Sequence, residues 1–272
     1  MDMGWRMYMK IVILERNSVG LDISVEGFSR FGEVITYPNT VTEEEVIERI
    51  ENADVVVGNK APLTEKTLQG AKNVKLICEF ATGYDNVDLA YCSKHGIKVA
   101  NVRNYSTDAV AQHTFALCLY VLEKLRHYDE YVKSGAYASQ SRFSNFDESF
   151  FELAGKTWGI IGMGNIGRKV AQIASAFGCR VIFHSVTGKS TCTDYDTLLR
   201  ESDVLSLHCP LSDLTRNLIN KDALAKMKKS AILINVARGP VVNDQDLHDA
   251  LVNGEIQAAG LDVTGTEPMK VS

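Results

Sequence analysis

The chain has 272 residues, 45% of them hydrophobic and 23% charged, with a formal net charge of −5. That length suits two domains with cores of their own. The balance argues against several classes: no basic block of the kind that grips nucleic acid is present, no apolar run reaches a membrane span, and the opening MDMGWRMYMK holds no secretory apolar core. Six cysteines, at 78, 92, 118, 179, 192 and 209, form no C-x-x-C pair and read as reduced thiols rather than a disulfide frame or a metal site. A cytoplasmic protein with neither nucleic-acid nor membrane partners is expected.

The first hundred residues alternate two patterns. Strands are expected at 11–15, 34–37, 54–58, 74–78 and 98–102, with helices at about 21–31, 42–52, 64–71 and 86–95. Thr42 opens the second helix, and Glu43, Glu44 and Glu45 in its first turn complement the helix dipole. Units this short imply a parallel sheet covered on both faces. From Ser106 the period lengthens. Ser106, Thr107 and Asp108 cap a helix whose apolar face runs Val110, Phe115, Leu117, Val121, Leu122 and Leu125 and continues towards Val132, a connector between domains. Residues 134–150 have no clean period and are either a surface loop or an arm against another subunit.

The alternation resumes at about Leu153, with strands at 157–161, 180–184, 203–207, 231–235 and 257–262 and helices at about 165–177, 195–201, 221–228 and 244–253. After the first of these strands come Gly162, Gly164 and Gly167 at the G-x-G-x-x-G spacing. The first glycine permits the tight turn, the second lets backbone approach a pyrophosphate, and the third lets the helix pack close to the sheet. The helix N-terminus then offers unpaired N–H groups to the phosphates. Val170, Ile173, Ala174 and Phe177 share one face of that helix, and Gly178 closes it. Dinucleotide binding follows from this context.

Further segments narrow the reading: ATGYDNVD at 81–88, NVRNYSTDAVAQHTFAL at 101–117, DVLSLHCP at 203–210 with Thr215 beyond it, INVARG at 234–239 and GLDVTGTEP at 260–268. In this order they resemble the NAD(P)-dependent D-isomer-specific 2-hydroxyacid dehydrogenases, most nearly the hydroxypyruvate reductase/glycerate dehydrogenase branch. The resemblance runs from about residue 10 to the last residue. It implies two doubly wound parallel-sheet domains, a flavodoxin-like substrate domain over 1–103 and a Rossmann cofactor domain over 104–272 that includes the connector helix and the arm. The implied reaction is reduction of a small 2-keto acid, hydroxypyruvate-like, to the D-2-hydroxy acid by a nicotinamide cofactor.

By the same resemblance Arg238 grips the substrate, for which a planar guanidinium suits a carboxylate beside a carbonyl. Glu267 raises the pKa of a catalytic histidine so that its imidazolium protonates the carbonyl. Backbone groups of Ala81, Thr82 and Gly83 help hold the carboxylate. The cofactor is lined by Gly162, Gly164, Asn165, Ile166, Gly167, Ser185, His208, Cys209, Pro210, Thr215, Val236 and Ala237, with Asp262 near the nicotinamide. His208 belongs to that lining and is not the acid/base; His95, His113, His127, His184 and His248 sit in helix or strand patterns that suit surface or core roles. Relatives dimerise, so a homodimer is expected by analogy.

Two departures from the family stand out. Between Gly167 and Asp194 there is no acidic residue, and Ser185 occupies the position where an NAD-preferring fold accepts from the ribose 2′-OH. Without that carboxylate a 2′-phosphate is not repelled, and Ser185, Thr187 and Lys189 supply partners for it. NAD or NADP is expected, with a tilt to NADP. The family's catalytic histidine follows Glu267 after one more strand, whereas here Met269-Lys270-Val271-Ser272 ends the sequence. The expectation is therefore a C-terminally truncated chain, lacking an outer strand of a 3-2-1-4-5-6 sheet and the last helix, with impaired hydride transfer. A non-catalytic dinucleotide-binding protein and a non-functional fragment are the alternatives.

Overall fold

In the computed structural model the chain divides into two compact units, Met1–Tyr105 and Ser106–Ser272. The structure describes residues 8–188, 192–267 and 269.

The first unit runs β1 (Met9–Ile13), β2 (Gly32–Thr36), α1 (Glu43–Ile50), β3 (Val55–Gly58), α2 (Glu65–Leu68), β4 (Leu76–Glu79), α3 (Leu89–Lys94) and β5 (Lys98–Ala100). Its strands pair in parallel in the order β2-β1-β3-β4-β5. Both faces are covered: Val12, Val56 and Ile77 pack on one side with α1 residues Val46 and Ile50, while Ile11, Ile13 and Val57 pack on the other. The Thr42 start carries a full capping box, in which Glu45 N–H donates to Thr42 Oγ1 and Thr42 N–H to Glu45 Oε2, each at 3.2 Å.

The helix expected over 21–31 does not form. Only a 3-10 turn over Glu26–Arg30 appears. Upstream, the Arg16 guanidinium draws in the carbonyls of Val19, Gly20, Leu21 and Ile23. The Gly20 oxygen also closes a turn with Ile23 N–H at 3.0 Å, and Leu21 and Ile23 remain exposed, so no apolar face drives a helix.

The second unit runs α4 (Thr107–Leu122), α5 (Leu125–Lys133), α6 (Ala136–Ser139), β6 (Thr157–Ile161), α7 (Asn165–Ala176), β7 (Arg180–His184), α8 (Tyr195–Glu201), β8 (Val204–Leu207), α9 (Lys221–Leu224), β9 (Ile232–Asn235), α10 (Asp244–Val252) and β10 (Ala258–Leu261). Its parallel strands lie in the order β10-β9-β8-β6-β7. Counted within each unit, both sheets therefore have the doubly wound order 2-1-3-4-5. Among the described residues the expected 3-2-1 half is not seen; only ten residues join β7 to α8, too few for another helix and strand.

The connector is two helices rather than one. Lys124 takes a left-handed conformation, φ 54°, between α4 and α5. Up to Leu122 the helix has a core to meet: Ala111, Phe115, Cys118 and Leu122 are buried with Trp158, Val170 and Ile234. Past that point Leu125 and Val132 are exposed, and continuing straight would gain no burial. Ser106 stands at the N-cap of α4 without a side-chain capping bond, and Asp108 instead pairs with Lys169 of α7 at 2.8 Å. Beyond α6 the chain is irregular, with Phe143 and Phe146 exposed. Among the described residues no helix is long and apolar enough to cross a membrane.

Candidate functional site

Open parallel sheets bind ligands beyond the carboxyl ends of their strands, where neighbouring connections leave on opposite faces. In the second unit that point lies between β6 and β8, and the glycine turn stands there. Gly162 has φ +96°, which L side chains rarely adopt, and a Cβ there would lie 2.7 Å from Cys209 N. A Cβ on Gly167 would collide with the carbonyl oxygen of Gly162. Gly164 differs: a Cβ would meet nothing within 4 Å. It is the N-cap of α7 and gives that helix no side-chain cap, and the first N–H groups of a helix have no partner within it. Asn165 beside it pairs with Arg168, while Ile166 packs on the core under the turn.

The strand ends on either side carry the other expected residues. Ser185 follows β7, its hydroxyl 3.2 Å from that of Thr187, whereas Lys189 lies outside the described residues. Cys209 is buried, which pushes its thiol up to about 11. Thr215 is buried too, and its hydroxyl braces its own loop: it donates to Pro210 O at 2.7 Å and accepts from Ser212 N–H at 2.8 Å. Pro210 itself is exposed.

His208 is held by a chain of hydrogen bonds that its spacing in the sequence does not announce. Trp158 Nε1–H donates to Ser206 Oγ at 2.9 Å, and Ser206 Oγ is 3.0 Å from His208 Nε2. An indole only donates, so the arrangement that uses every proton has Ser206 donating onward to Nε2 and leaves the imidazole proton on Nδ1. Burial pushes the ring down to about 4, hence neutral at neutral pH. Nδ1 is a buried atom with no partner among the described residues. An orphaned donor at the strand end and an uncapped helix N-terminus over a glycine with open space fit a phosphate- and hydroxyl-rich dinucleotide.

At the end of β9 a buried asparagine shapes the turn that carries the arginine. Asn235 Oδ1 accepts from Ala237 N–H at 3.1 Å and its Nδ2 donates to Arg238 O at 3.0 Å. Val236 and Ala237 are buried, and half-buried Arg238 donates from Nη1 to Ala237 O at 2.9 Å. Gly239 is required because any side chain there would collide with the carbonyl of Thr264. The segment bearing Glu267 thus crosses directly over the residue after Arg238. Glu267 Oε1 accepts from Thr264 N–H at 3.3 Å, and Gly265 N–H donates to Asp244 Oδ2 at 2.9 Å. Asp262 continues the β10 ladder, its N–H donating to Asn235 O at 3.0 Å. His113 of α4 reaches it, Nε2 to Asp262 Oδ1 at 3.2 Å. The sequence left this histidine among surface or core residues; nothing in the local pattern of α4 reveals a partner so distant along the chain.

In the first unit Ala81, Thr82 and Gly83 follow β4. Thr82 Oγ1 donates to Val102 O at 2.8 Å, Asn101 Nδ2 donates to Thr82 O, and Val102 N–H donates to Ala81 O, so the strand-end segment 101–102 holds the loop. Beneath lie two carboxyl groups that the sequence reading passed over. Glu15 Oε2 accepts from the backbone N–H groups of Asn59, Lys60 and Ala61 at 2.7–3.0 Å. Glu79 is 2% exposed, its Oε1 accepts from Asn86 Nδ2 at 3.3 Å, and burial pushes its carboxyl up to about 7, with Glu15 and Asp85 adding to the rise.

Comparisons with known proteins give the family. Residues 115–272 match the family model described as D-isomer specific 2-hydroxyacid dehydrogenase, NAD binding domain. The chain belongs to the D-isomer-specific 2-hydroxyacid dehydrogenase family. It is 39% identical to a hydroxypyruvate reductase of Blautia hydrogenotrophica, over 96% of this chain and 84% of that protein. It is likewise 39% identical to a glycerate dehydrogenase of Methylorubrum extorquens, over 97% of this chain and 83% of the relative. An acyclic imino acid reductase solved with NADPH and D-Arg superposes with a TM-score of 0.86 at 29% identity, covering 96% of this chain and 85% of that one. The family is one of NAD(P)-dependent oxidoreductases, and both relatives fall in the branch that the motifs resemble.

Proposed function

We propose that the chain carries out NAD(P)H-dependent reduction of a small 2-keto acid, hydroxypyruvate-like, to the D-2-hydroxy acid. The observation that carries the reading is the meeting of three features at one sheet end: the uncapped α7 N-terminus over Gly164, the braced Asn235–Arg238 turn, and the Glu267 segment crossing Gly239. The names of the two relatives support the substrate class.

In this reading Gly162, Gly164, Asn165, Ile166 and Gly167 cradle the pyrophosphate, and His208 Nδ1–H, Cys209, Pro210, Thr215, Val236 and Ala237 line the cofactor, directly or by shaping the loops. Asp262 stands at the nicotinamide half. Bound NAD(P)H supplies the hydride. Arg238 holds the substrate carboxylate and polarises the adjacent carbonyl through charge-assisted hydrogen bonds. Glu267 is the carboxylate that tunes the proton donor. His208, neutral and already committed to Ser206, is a binding group and not that donor.

Ser185 makes NADP acceptable and tilts preference towards it, because no carboxylate repels the 2′-phosphate. A cytoplasmic location and a homodimer using the exposed aromatic stretch 137–151 belong to the same proposal.

The test is to titrate NADH and NADPH by fluorescence and then follow cofactor oxidation on adding hydroxypyruvate. Binding of both cofactors, with cofactor oxidation that depends on the keto acid, supports the reading. Binding without any turnover would favour a non-catalytic dinucleotide-binding protein, and absence of binding would refute the cofactor site.

A further inference from the structure

We propose that His113 is a positioning residue for the nicotinamide end of the dinucleotide, acting through the Asp262 carboxylate. The inference rests on the cofactor reading above and deepens it.

The strand order fixes which half of the ligand lies where. With phosphates at the α7 N-terminus, β7 lies to one side and β8, β9 and β10 to the other. Ser185 follows β7, on the adenosine side in the cofactor reading, so that reading carries the nicotinamide half over the ends of β8 to β10. Asp262 immediately follows β10 and is half-exposed there. A carboxylate at that place suits the carboxamide of a nicotinamide, which offers N–H donors and no charge.

A carboxylate on a strand end swings unless something holds it, and α4 supplies the hold. Helix and strand meet in register: a Cβ on Gly260 would lie 3.1 Å from Leu117 Cβ and 2.9 Å from Ile234 Cδ1. A side chain at position 260 would press on Leu117 and Ile234, so glycine suits the close approach of α4 to β10. His113 is four residues before Leu117 on the helix, and Asp262 two residues after Gly260 on the strand, so the closeness of the first pair brings the second pair together. The result is Nε2 at 3.2 Å from Oδ1. A carboxylate only accepts, so Nε2 carries the proton and the contact needs no charge on the ring. An isolated surface pair of this exposure would contribute almost nothing to stability. Fixing one oxygen of a ligand-binding carboxylate orients the other whatever the pair adds to the fold.

The experiment compares ligands that differ only in the nicotinamide: NADH against ADP-ribose, and NADPH against 2′-phospho-ADP-ribose, titrated by calorimetry into wild type, His113→Leu, His113→Gln and Asp262→Asn. His113→Leu is expected to weaken NADH and NADPH by about tenfold while the nicotinamide-free ligands bind as in wild type, which also shows that the variant is folded. His113→Gln, whose amide still donates, should recover much of the loss. Adding His113→Leu to Asp262→Asn should cost little more than Asp262→Asn alone. Equal loss for both ligands of a pair, or no loss at all, would overturn the role of His113 while leaving the cofactor reading intact. If wild type bound none of the four ligands, the cofactor reading would fall and this inference with it.

Discussion

The indole N–H of Trp158, on the first strand of the second sheet, donates to the hydroxyl of Ser206 on the neighbouring strand at 2.9 Å. Both residues are fully buried, and the bond continues to His208 at the strand end. A core tryptophan thereby sets the tautomer of a histidine at the ligand-binding edge. Ser206→Ala removes the hydroxyl that joins them. It leaves the indole N–H buried without an acceptor, and a destabilisation of about 1–3 kcal/mol is expected. Urea unfolding followed by tryptophan fluorescence checks this; an unchanged midpoint would mean that the chain carries no stability.

The two glycines of the turn should fail in different ways. Gly167→Ala places a methyl group against Gly162 O and is expected to lower stability by about 1–3 kcal/mol. Gly164→Ala meets no atom of the protein, so its melting temperature should hold while NADH affinity drops by about tenfold or more. Thermal melts and cofactor titrations of both variants separate the packing task from the phosphate task. If Gly164→Ala bound NADH normally, the turn would not be the pyrophosphate site.

Much of this was readable in the letters, and the limits are physical. Short βα units, Gly178 as a helix stop and the three-glycine spacing depend on residues within a turn or two of each other, and the structure has them, Gly178 at φ +81°. The failures are long-range. The Arg16 side chain draws in carbonyls at the start of the expected helix over 21–31, those of Leu21 and Ile23 among them, and α4 ends where its supporting core ends. At the candidate site the motifs pointed to Gly162 and Arg238. They gave no sign of Asn235 as the brace of the arginine turn, of His113 against Asp262, or of Glu79 beneath the strand ends of the first unit. Each of these acts through tertiary contacts or burial, which periodicity does not encode.

Ser185 offers a direct handle on cofactor choice. Ser185→Asp restores an acceptor for the ribose hydroxyls and a charge that repels a 2′-phosphate. NADPH should bind at least about tenfold more weakly relative to NADH than in wild type, with the difference shrinking as salt rises. Paired titrations at two ionic strengths provide the readout. An unchanged ratio would remove Ser185 from the ribose site.

Glu79 predicts a pH dependence of stability. Burial raises its carboxyl to about 7 from the usual 4.5, so between these values the folded protein keeps a proton that the unfolded chain releases. Stability from this group is therefore full in acid, falls as pH rises through that window by on the order of 3 kcal/mol, and levels off above the folded value. Glu79→Gln cannot ionise and should flatten that part of the profile. Melting curves of wild type and variant from about pH 5 to about pH 8 test the sign; a wild-type profile parallel to that of the variant would show that Glu79 does not hold its proton.

The most direct test of the central claim, a nicotinamide cofactor site with Arg238 holding a 2-keto acid, is calorimetric titration of hydroxypyruvate into the protein saturated with oxidised cofactor, where no hydride can pass. Wild type should bind the acid, and Arg238→Gln should lose at least about tenfold in that affinity while binding the cofactor as before. Equal hydroxypyruvate affinity in the two proteins, or none in wild type, would contradict the account.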